Sequence, residues 1–228
     1  MSDPSLDNFD GVARLFPLPN LVMFPSVVQP LHIFEPRYRQ MTADALAGDR
    51  LIAMALLKPG WEEDYERKPA LFPMVCLGKI AAEQRLADGK YNLLLRGLSR
   101  ATIVQEIDQD KLYRTARVEL RSDGAAPDGE TAGPLLRRLG QAVLPWFPAQ
   151  GQARDQLGKL LENQELPLGV LADLIAFATP LPAEDKQTLL DELDVEARVL
   201  KLLQLLQSGE PPKAKPKPGK YPPDFSPN

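Results

Sequence analysis

The sequence is poor in the residues from which catalytic sites and covalent staples are usually made. It holds one cysteine and one histidine in 228 residues. Cys76 alone can form neither an intramolecular disulfide nor a multi-cysteine metal site, and within Met74-Val75-Cys76-Leu77 it reads as a small core residue. A single histidine excludes every site that needs two, and any triad would have to be built around His32. That residue lies in the apolar stretch Pro30-Leu31-His32-Ile33-Phe34 and reads as a satisfied structural histidine. There is no G-x-x-x-x-G-K-[ST] phosphate loop, no G-x-S-x-G elbow and no H-E-x-x-H helix. No cofactor is implied. The one acidic run, Glu62-Glu63-Asp64, places three neighbours on one loop, an arrangement that rarely converges on a cation without further ligands; no metal site is expected there. Long apolar runs are missing too. None approaches the ~20 residues of a membrane span. Met1–Asp10 is polar and acidic and lacks the basic-then-apolar order of a signal peptide, so the cytoplasm is the expected compartment. Finally, no charge of one sign dominates: the net charge is -4, which argues against a phosphate backbone as partner.

What is present describes an ordinary globular protein, 44% hydrophobic and 25% charged. A chain of this length forms one large domain or two small ones and buries roughly 70% of its unfolded surface, so it needs no staple. Composition divides it into four parts. Residues 1–11 form a polar leader expected to be loose. Residues 12–122 carry β signals and residues 130–207 carry helical ones, with Gly124, Pro127 and Gly129 punctuating the change. Residues 210–228 hold seven prolines and four lysines and read as a disordered or extended tail.

In the β-rich part, Val12–Phe16 is a short strand, and Pro17, Pro19 and Pro25 mark a loop after it. Val27–Ile33 is a second extended run, edge-like because of Pro30. Pro36 suits the first position of a helix whose apolar residues include Tyr38, Met41 and Ala45, with Gly48 expected to close it in the left-handed conformation. Leu51–Leu57 is continuous and apolar, of strand length. Asp88-Gly89, between Leu77–Leu86 and Tyr91–Arg96, predicts a two-residue type I′ hairpin. Gly97 is expected to break the chain before Leu98–Ile107, and Leu112, Arg114, Ala116, Val118 and Leu120 to share a face of a last strand. The second half switches period. Leu135, Leu139 and Val143 recur at helical spacing before Pro145. Leu168, Leu171, Ala172, Ile175 and Ala178 form a second stripe, Pro182 opens a third helix, and Asp194 caps a fourth in which Val195, Val199, Leu202 and Leu206 recur. The fold class is therefore α+β: a single mostly antiparallel sheet or barrel, then a helical bundle.

Several phrases together resemble the Lon protease amino-terminal, substrate-binding domain. Leu15-Phe16-Pro17-Leu18-Pro19-Asn20-Leu21-Val22-Met23-Phe24-Pro25 is similar to its opening, followed by Gln29-Pro30-Leu31 and by His32-Ile33-Phe34-Glu35-Pro36-Arg37-Tyr38-Arg39, which resembles the version in stand-alone members. Gly78-Lys79-Ile80, Asp88-Gly89 and Leu93–Arg100 fit the next run. Leu171-Ala172-Asp173-Leu174-Ile175-Ala176 and Leu189–Arg198 fit the helical part. The match spans roughly residues 12–207, and its pieces occur in the family's order. The resemblance implies a PUA-like β pseudobarrel followed by an α-helical bundle, and a role in binding polypeptides. Full Lon proteases continue into an ATPase module and a Ser-Lys peptidase domain. Neither is expected in this chain, so the resemblance implies a protein-interaction module and not an enzyme. The shared positions are mostly apolar, Pro or Gly and read as architectural, so the resemblance assigns no site residue.

The leading reading is thus a non-catalytic module that binds unfolded or tagged polypeptides or a partner protein. The polypeptide-binding residues expected from the sequence are Phe24 and Trp61, two aromatics on proline- and glycine-punctuated loops, with Glu62, Glu63 and Asp64 as a polar rim. The competing readings are RNA binding, for which Arg85, Arg96, Arg100, Arg114 and Arg117 would gather on one sheet face, and a small enzyme with an unrecognised site.

Overall fold

A computed structural model describes residues 4–64, 68–148, 152–162 and 166–211. The chain separates into two compact units between Ser122 and Asp123. The tail expected at 210–228 lies, from residue 212 onward, outside the described residues.

The first unit is built on six strands and one long helix: β1 (Val12–Leu18), β2 (Val28–Ile33), α1 (Pro36–Ala47), β3 (Leu51–Leu56), β4 (Met74–Arg85), β5 (Tyr91–Ile107) and β6 (Thr115–Arg121). The strand order is β2-β5-β4-β3-β1-β6, and β6 pairs again with β5. Five strands therefore close into a pseudobarrel, with β2 continuing the sheet beyond β5. All pairings are antiparallel except β1 with β3, which are parallel with Leu15 opposite Ala53. The barrel interior collects Ala13, Leu15, Leu51, Ala53, Ala55, Val75, Leu77, Ala101, Ala116 and Val118. The alanines keep the interior narrow. The even-numbered residues of β3, Ile52, Met54 and Leu56, are buried on its other face, which is why this strand reads as one unbroken apolar run.

β5 serves three neighbours because it bends. Register shifts near Leu77/Gly78 and Ile103/Gln105 leave extra residues unpaired, and such bulges turn a strand and increase its twist. Gly97 does not break β5, as the sequence suggested. It lies inside the strand where the loop before β2 crosses: the Gly97 amide donates to the Val27 carbonyl (2.8 Å), and a methyl group there would collide with the Phe24 carbonyl oxygen. The hairpin also differs from expectation. Only Gly89 has positive φ (79°). Leu86 N–H donates to Lys90 O and Gly89 N–H to Leu86 O, so the loop has three residues with one left-handed glycine, whereas type I′ needs positive φ at both central positions. Likewise Gly48 closes α1 at φ -123°, and the left-handed residue is Arg50 (φ 65°).

Two prolines sit in strands because of the edges they face. β1 runs through Pro17, opposite Ala55 of β3; β6 pairs with β1 only over Val12–Arg14, so the missing N–H of Pro17 interrupts no ladder. Pro30 lies in β2, the outermost strand, and the Gln29 side-chain amide donates to the Pro30 carbonyl (2.8 Å). The free edge thereby loses a donor and has an acceptor covered, which discourages strand addition. Two apolar expectations fail at the ends of elements. Leu112 and Leu120 are exposed while Ala116 and Val118 are buried. Part of the leader is docked: Leu6 and Phe9 pack on the barrel core, and Lys79 donates to the Ser5 hydroxyl (3.0 Å).

The second unit contains α2 (Gly129–Val143), α3 (Gln152–Glu162), α4 (Leu168–Ala178), α5 (Ala183–Asp191) and α6 (Val195–Ser208). Asp128 caps α2 by accepting from Thr131 N–H (2.9 Å), and Asp194 caps α6 by accepting from Ala197 N–H (2.8 Å). The stripe of α6 expected from its spacing is buried, and α6 packs against α2, α4 and α5. Helix α3 escaped the sequence reading because Gly158 interrupts a short and mostly polar segment. At the centre of this unit Arg198 is 1% exposed. Its guanidinium meets Asp123 with two hydrogen bonds, Asp173 at 3.2 Å and the Glu192 carbonyl at 2.7 Å. A side chain at Gly169 would press on that Arg198–Asp123 pair.

Candidate functional site

The first turn of α1 and the end of β1 create a concave cleft in the β-rich unit. Pro36 starts the helix at a position where its missing N–H costs nothing. Tyr38 is then anchored: its ring lies 4.3 Å from that of Phe16, and its hydroxyl donates to the Pro17 carbonyl (3.1 Å). Arg37 lies over the Tyr38 ring at 4.6 Å and pairs with Glu35 at 2.8 Å. Across from them, Arg114 is held by both oxygens of Glu106 and donates to the Pro69 carbonyl at 2.7 Å. Between these groups lies a cavity of about 320 Å³, lined by Pro17, Leu18, Pro19, Leu57, Trp61 and Pro69 among others. A second, more polar cleft of about 190 Å³ adjoins it through Pro17, Arg37, Tyr38 and Arg114. Rigid rings and aliphatic side chains line the first cleft, with charged groups among them that are already paired. Such a surface suits an apolar side chain carried on an extended segment, because proline and aromatic walls lose little entropy on contact.

The expected site residues are treated unequally. Trp61 opens a single 3-10 turn, Trp61–Asp64, and is half-buried in the cleft wall. Glu62 and Glu63 are exposed on that turn. The description of Asp64 extends to its backbone only. Phe24 is a correction. Its side chain has 0% exposure, and Val22, Met23 and Val27 beside it are buried as well. The loop is stitched to β5 through Gly97, which turns its apolar side chains inward. Lack of periodicity signalled irregular backbone, not exposure. Sequence reasoning missed Arg37, Tyr38 and Arg114, the residues opposite Trp61. The first two stand in the Glu35-Pro36-Arg37-Tyr38 phrase, so a signal existed, but nothing in sequence spacing brings that phrase to Trp61.

The other candidates have structural explanations. His32 Nδ1 is 2.8 Å from Asn92 Oδ1, with Phe34 stacked at 6.1 Å. Cys76 is buried. The arginines named for RNA do not all offer a free charge: Arg100 is 2% exposed and Arg114 is engaged with Glu106. Among the described residues, no three His, Cys, Asp or Glu side chains group as metal ligands, and no helix is long and apolar enough to cross a membrane.

A family model for the ATP-dependent protease La (LON) substrate-binding domain matches residues 12–208. The chain belongs to the Lon substrate-binding domain family. It is similar to Lon protease 2 of Myxococcus xanthus, 29% identical over 212 residues, which are 90% of this chain and 25% of that protein. It is also 30% identical over 208 residues to Lon protease 2 of Sorangium cellulosum, covering 89% of this chain and 25% of that one. This Lon-family chain thus spans about a quarter of the length of these relatives. Two solved structures share its fold. The N-terminal domain of the Mycobacterium avium complex Lon protease aligns with a TM-score of 0.65 at 18% identity, covering 87% of this chain and 100% of that one. The Lon N-terminal domain protein from Xanthomonas campestris aligns at 0.58 and 23% identity, covering 85% and 97%. The expected resemblance and the α+β fold class are both borne out.

Proposed function

We propose that this Lon-family chain is a non-catalytic recognition module that holds unfolded or tagged polypeptides, or a segment of a partner protein, in the cleft beside Trp61. The observation that carries this reading is the position of Trp61, half-buried against Pro17, Leu18, Pro19, Leu57 and Pro69. A fully packed anchor would be closed off, whereas Trp61 keeps an accessible face within a concave apolar wall. The family description as a substrate-binding domain supports the same reading. Glu62 and Glu63 on the same turn supply an acidic rim, which speeds the approach of basic segments more than it tightens the final complex. Arg37 and Arg114, already neutralised by Glu35 and Glu106, frame the opening without leaving a charge to desolvate. In this reading the protein neither hydrolyses ATP nor cleaves unfolded casein, since the sequence offers no phosphate loop and His32 is turned to Asn92.

The test separates contact from anchoring. Trp61→Ala is expected to weaken binding of a fluorescent, unstructured apolar peptide by ~1–3 kcal/mol, with the melting temperature almost unchanged. A variant that loses stability while its folded fraction binds normally removes Trp61 from the site.

A further inference from the structure

The first turn of α1 has a second side. Glu35, Arg37 and Tyr38 line the Trp61 cleft, while Pro36, Arg39 and Gln40 line a separate cavity with Ala43, Arg85, Gly89 and Tyr91. The two phrases that the function above leaves unused, the arginine ending His32–Arg39 and the turn Asp88-Gly89, meet in this second cavity. The guanidinium of Arg39 lies so close over Gly89 that any Cβ there would strike its Nη2. Arg85, the last residue of β4, stands 5.9 Å over the ring of Tyr91, the first residue of β5. Both cations are therefore held in place by the hairpin, one on a glycine and one on a ring.

What sets this pair apart is that its two cations share one cavity. Many cations of the β-rich unit are matched: Arg14 with Asp49, Arg37 with Glu35, Arg50 with Glu83, Lys90 with Asp88, Lys111 with Asp44 and Arg114 with Glu106. Among the described residues neither Arg39 nor Arg85 has a carboxylate partner, and both open on one cavity of about 390 Å³. An anion in that cavity would meet two guanidinium groups with no carboxylate of their own, and the planar guanidinium fork fits a carboxylate.

We propose that the Arg39–Arg85 cavity binds a carboxylate of a polypeptide whose apolar side chain occupies the Trp61 cleft. The inference rests on the polypeptide-binding reading and adds a chemical preference to it: segments that carry an acidic residue beside an apolar one. A polypeptide fits better than RNA. Single-stranded nucleic acid is held by a track of cations with exposed aromatic platforms, whereas here the cations are two, Tyr91 is 7% exposed under Arg85, and the chain as a whole carries -4.

The experiment uses the full chain and three labelled probes: an unstructured peptide of apolar and glutamate residues, the same peptide with every glutamate replaced by glutamine, and a single-stranded RNA of similar length. Binding is followed by anisotropy at low and physiological salt. The acidic peptide should bind more tightly than its glutamine version. Arg39→Gln and Arg85→Gln should each remove about threefold to fivefold of that advantage, the scale of a partly exposed ion pair, and leave the glutamine peptide's affinity as it was. Arg39→Lys, which keeps the charge and loses the fork, should recover only part. Equal binding of the two peptides, with neither affected by the arginine variants, overturns this inference and leaves the Trp61 reading standing. Failure of both peptides to bind overturns both. Variants that weaken RNA and spare the acidic peptide overturn the choice of ligand.

Discussion

The two units place their strongest ion pairs differently. In the β-rich unit the interior is small and apolar, from Ala13 to Val118, and arginine, lysine and carboxylate pairs lie at the surface, where they frame clefts. In the helical unit the clearest ionic cluster, Arg198 with Asp123 and Asp173, is inside. A surface pair adjusts to a ligand at small cost because water screens it. A buried one fixes geometry and punishes change, because a lone charge left inside is costly. In the proposed reading the first unit serves recognition, and the buried pair makes the second rigid.

The largest effects are expected from a matched pair of core truncations, one in each unit. Arg198→Ala strips Asp173, which is 3% exposed at its side chain, of a charge partner and should destabilise by about 3–5 kcal/mol. Phe24→Ala empties a fully buried site in the first unit and should cost a similar ~3–5 kcal/mol. Urea melts measure both losses. Hydrogen exchange should locate the first in α4 and α6 and the second in β2 and β5. If Phe24→Ala instead leaves stability intact and weakens peptide binding, Phe24 returns to the site and the burial argument fails.

A smaller effect is expected at the hairpin. Gly89→Ala forces a Cβ into the left-handed region and against Arg39, and about 1–2 kcal/mol should be lost in thermal unfolding. A true type I′ turn would also be hurt by replacing Asp88, whose φ is not positive here. Asp88→Ala is expected to lose less than Gly89→Ala.

The smallest effect concerns pH and belongs to the helical unit. Lys186 donates to the Phe177 carbonyl at 2.8 Å, and burial lowers its pKa to about 8 from 10.5. Between those values the unfolded chain binds more protons than the folded one, so this lysine makes stability rise as pH rises from about 8 to about 10.5. Below pH 8 both states are protonated and the dependence disappears. The difference in urea midpoint between the wild type and Lys186→Met should therefore shift in favour of the wild type across that window, and stay constant below it.

How much of this was legible in sequence follows the range of the forces involved. Local signals survived: Pro36 at a helix start, Asp194 as a cap, the α6 stripe, the unbroken β3 run and the edge character of Pro30. Signals that depend on what lies across the fold did not. Gly97 looked like a break because its reason, the Phe24 carbonyl crossing β5, is seventy-odd positions away in sequence. Phe24 looked exposed for the same reason. Arg198 and Asp173 stood in recognised phrases, yet only the packing of α4 against α6 makes them a buried pair. Of the site, Trp61 could be found from composition and loop context. Its opposite wall could not, since Tyr38 and Arg114 arrive there through the closure of the barrel.

Polypeptide binding at the Trp61 cleft of the β-rich unit, as proposed, should be visible in amide hydrogen exchange. The full chain is labelled with and without a saturating unstructured apolar peptide. Added protection is expected in the segments holding Leu18, Arg37–Tyr38, Leu57 and Trp61, with α2 to α6 unchanged. Protection confined to the helical unit, with the Trp61 turn exchanging as in the free protein, would contradict it.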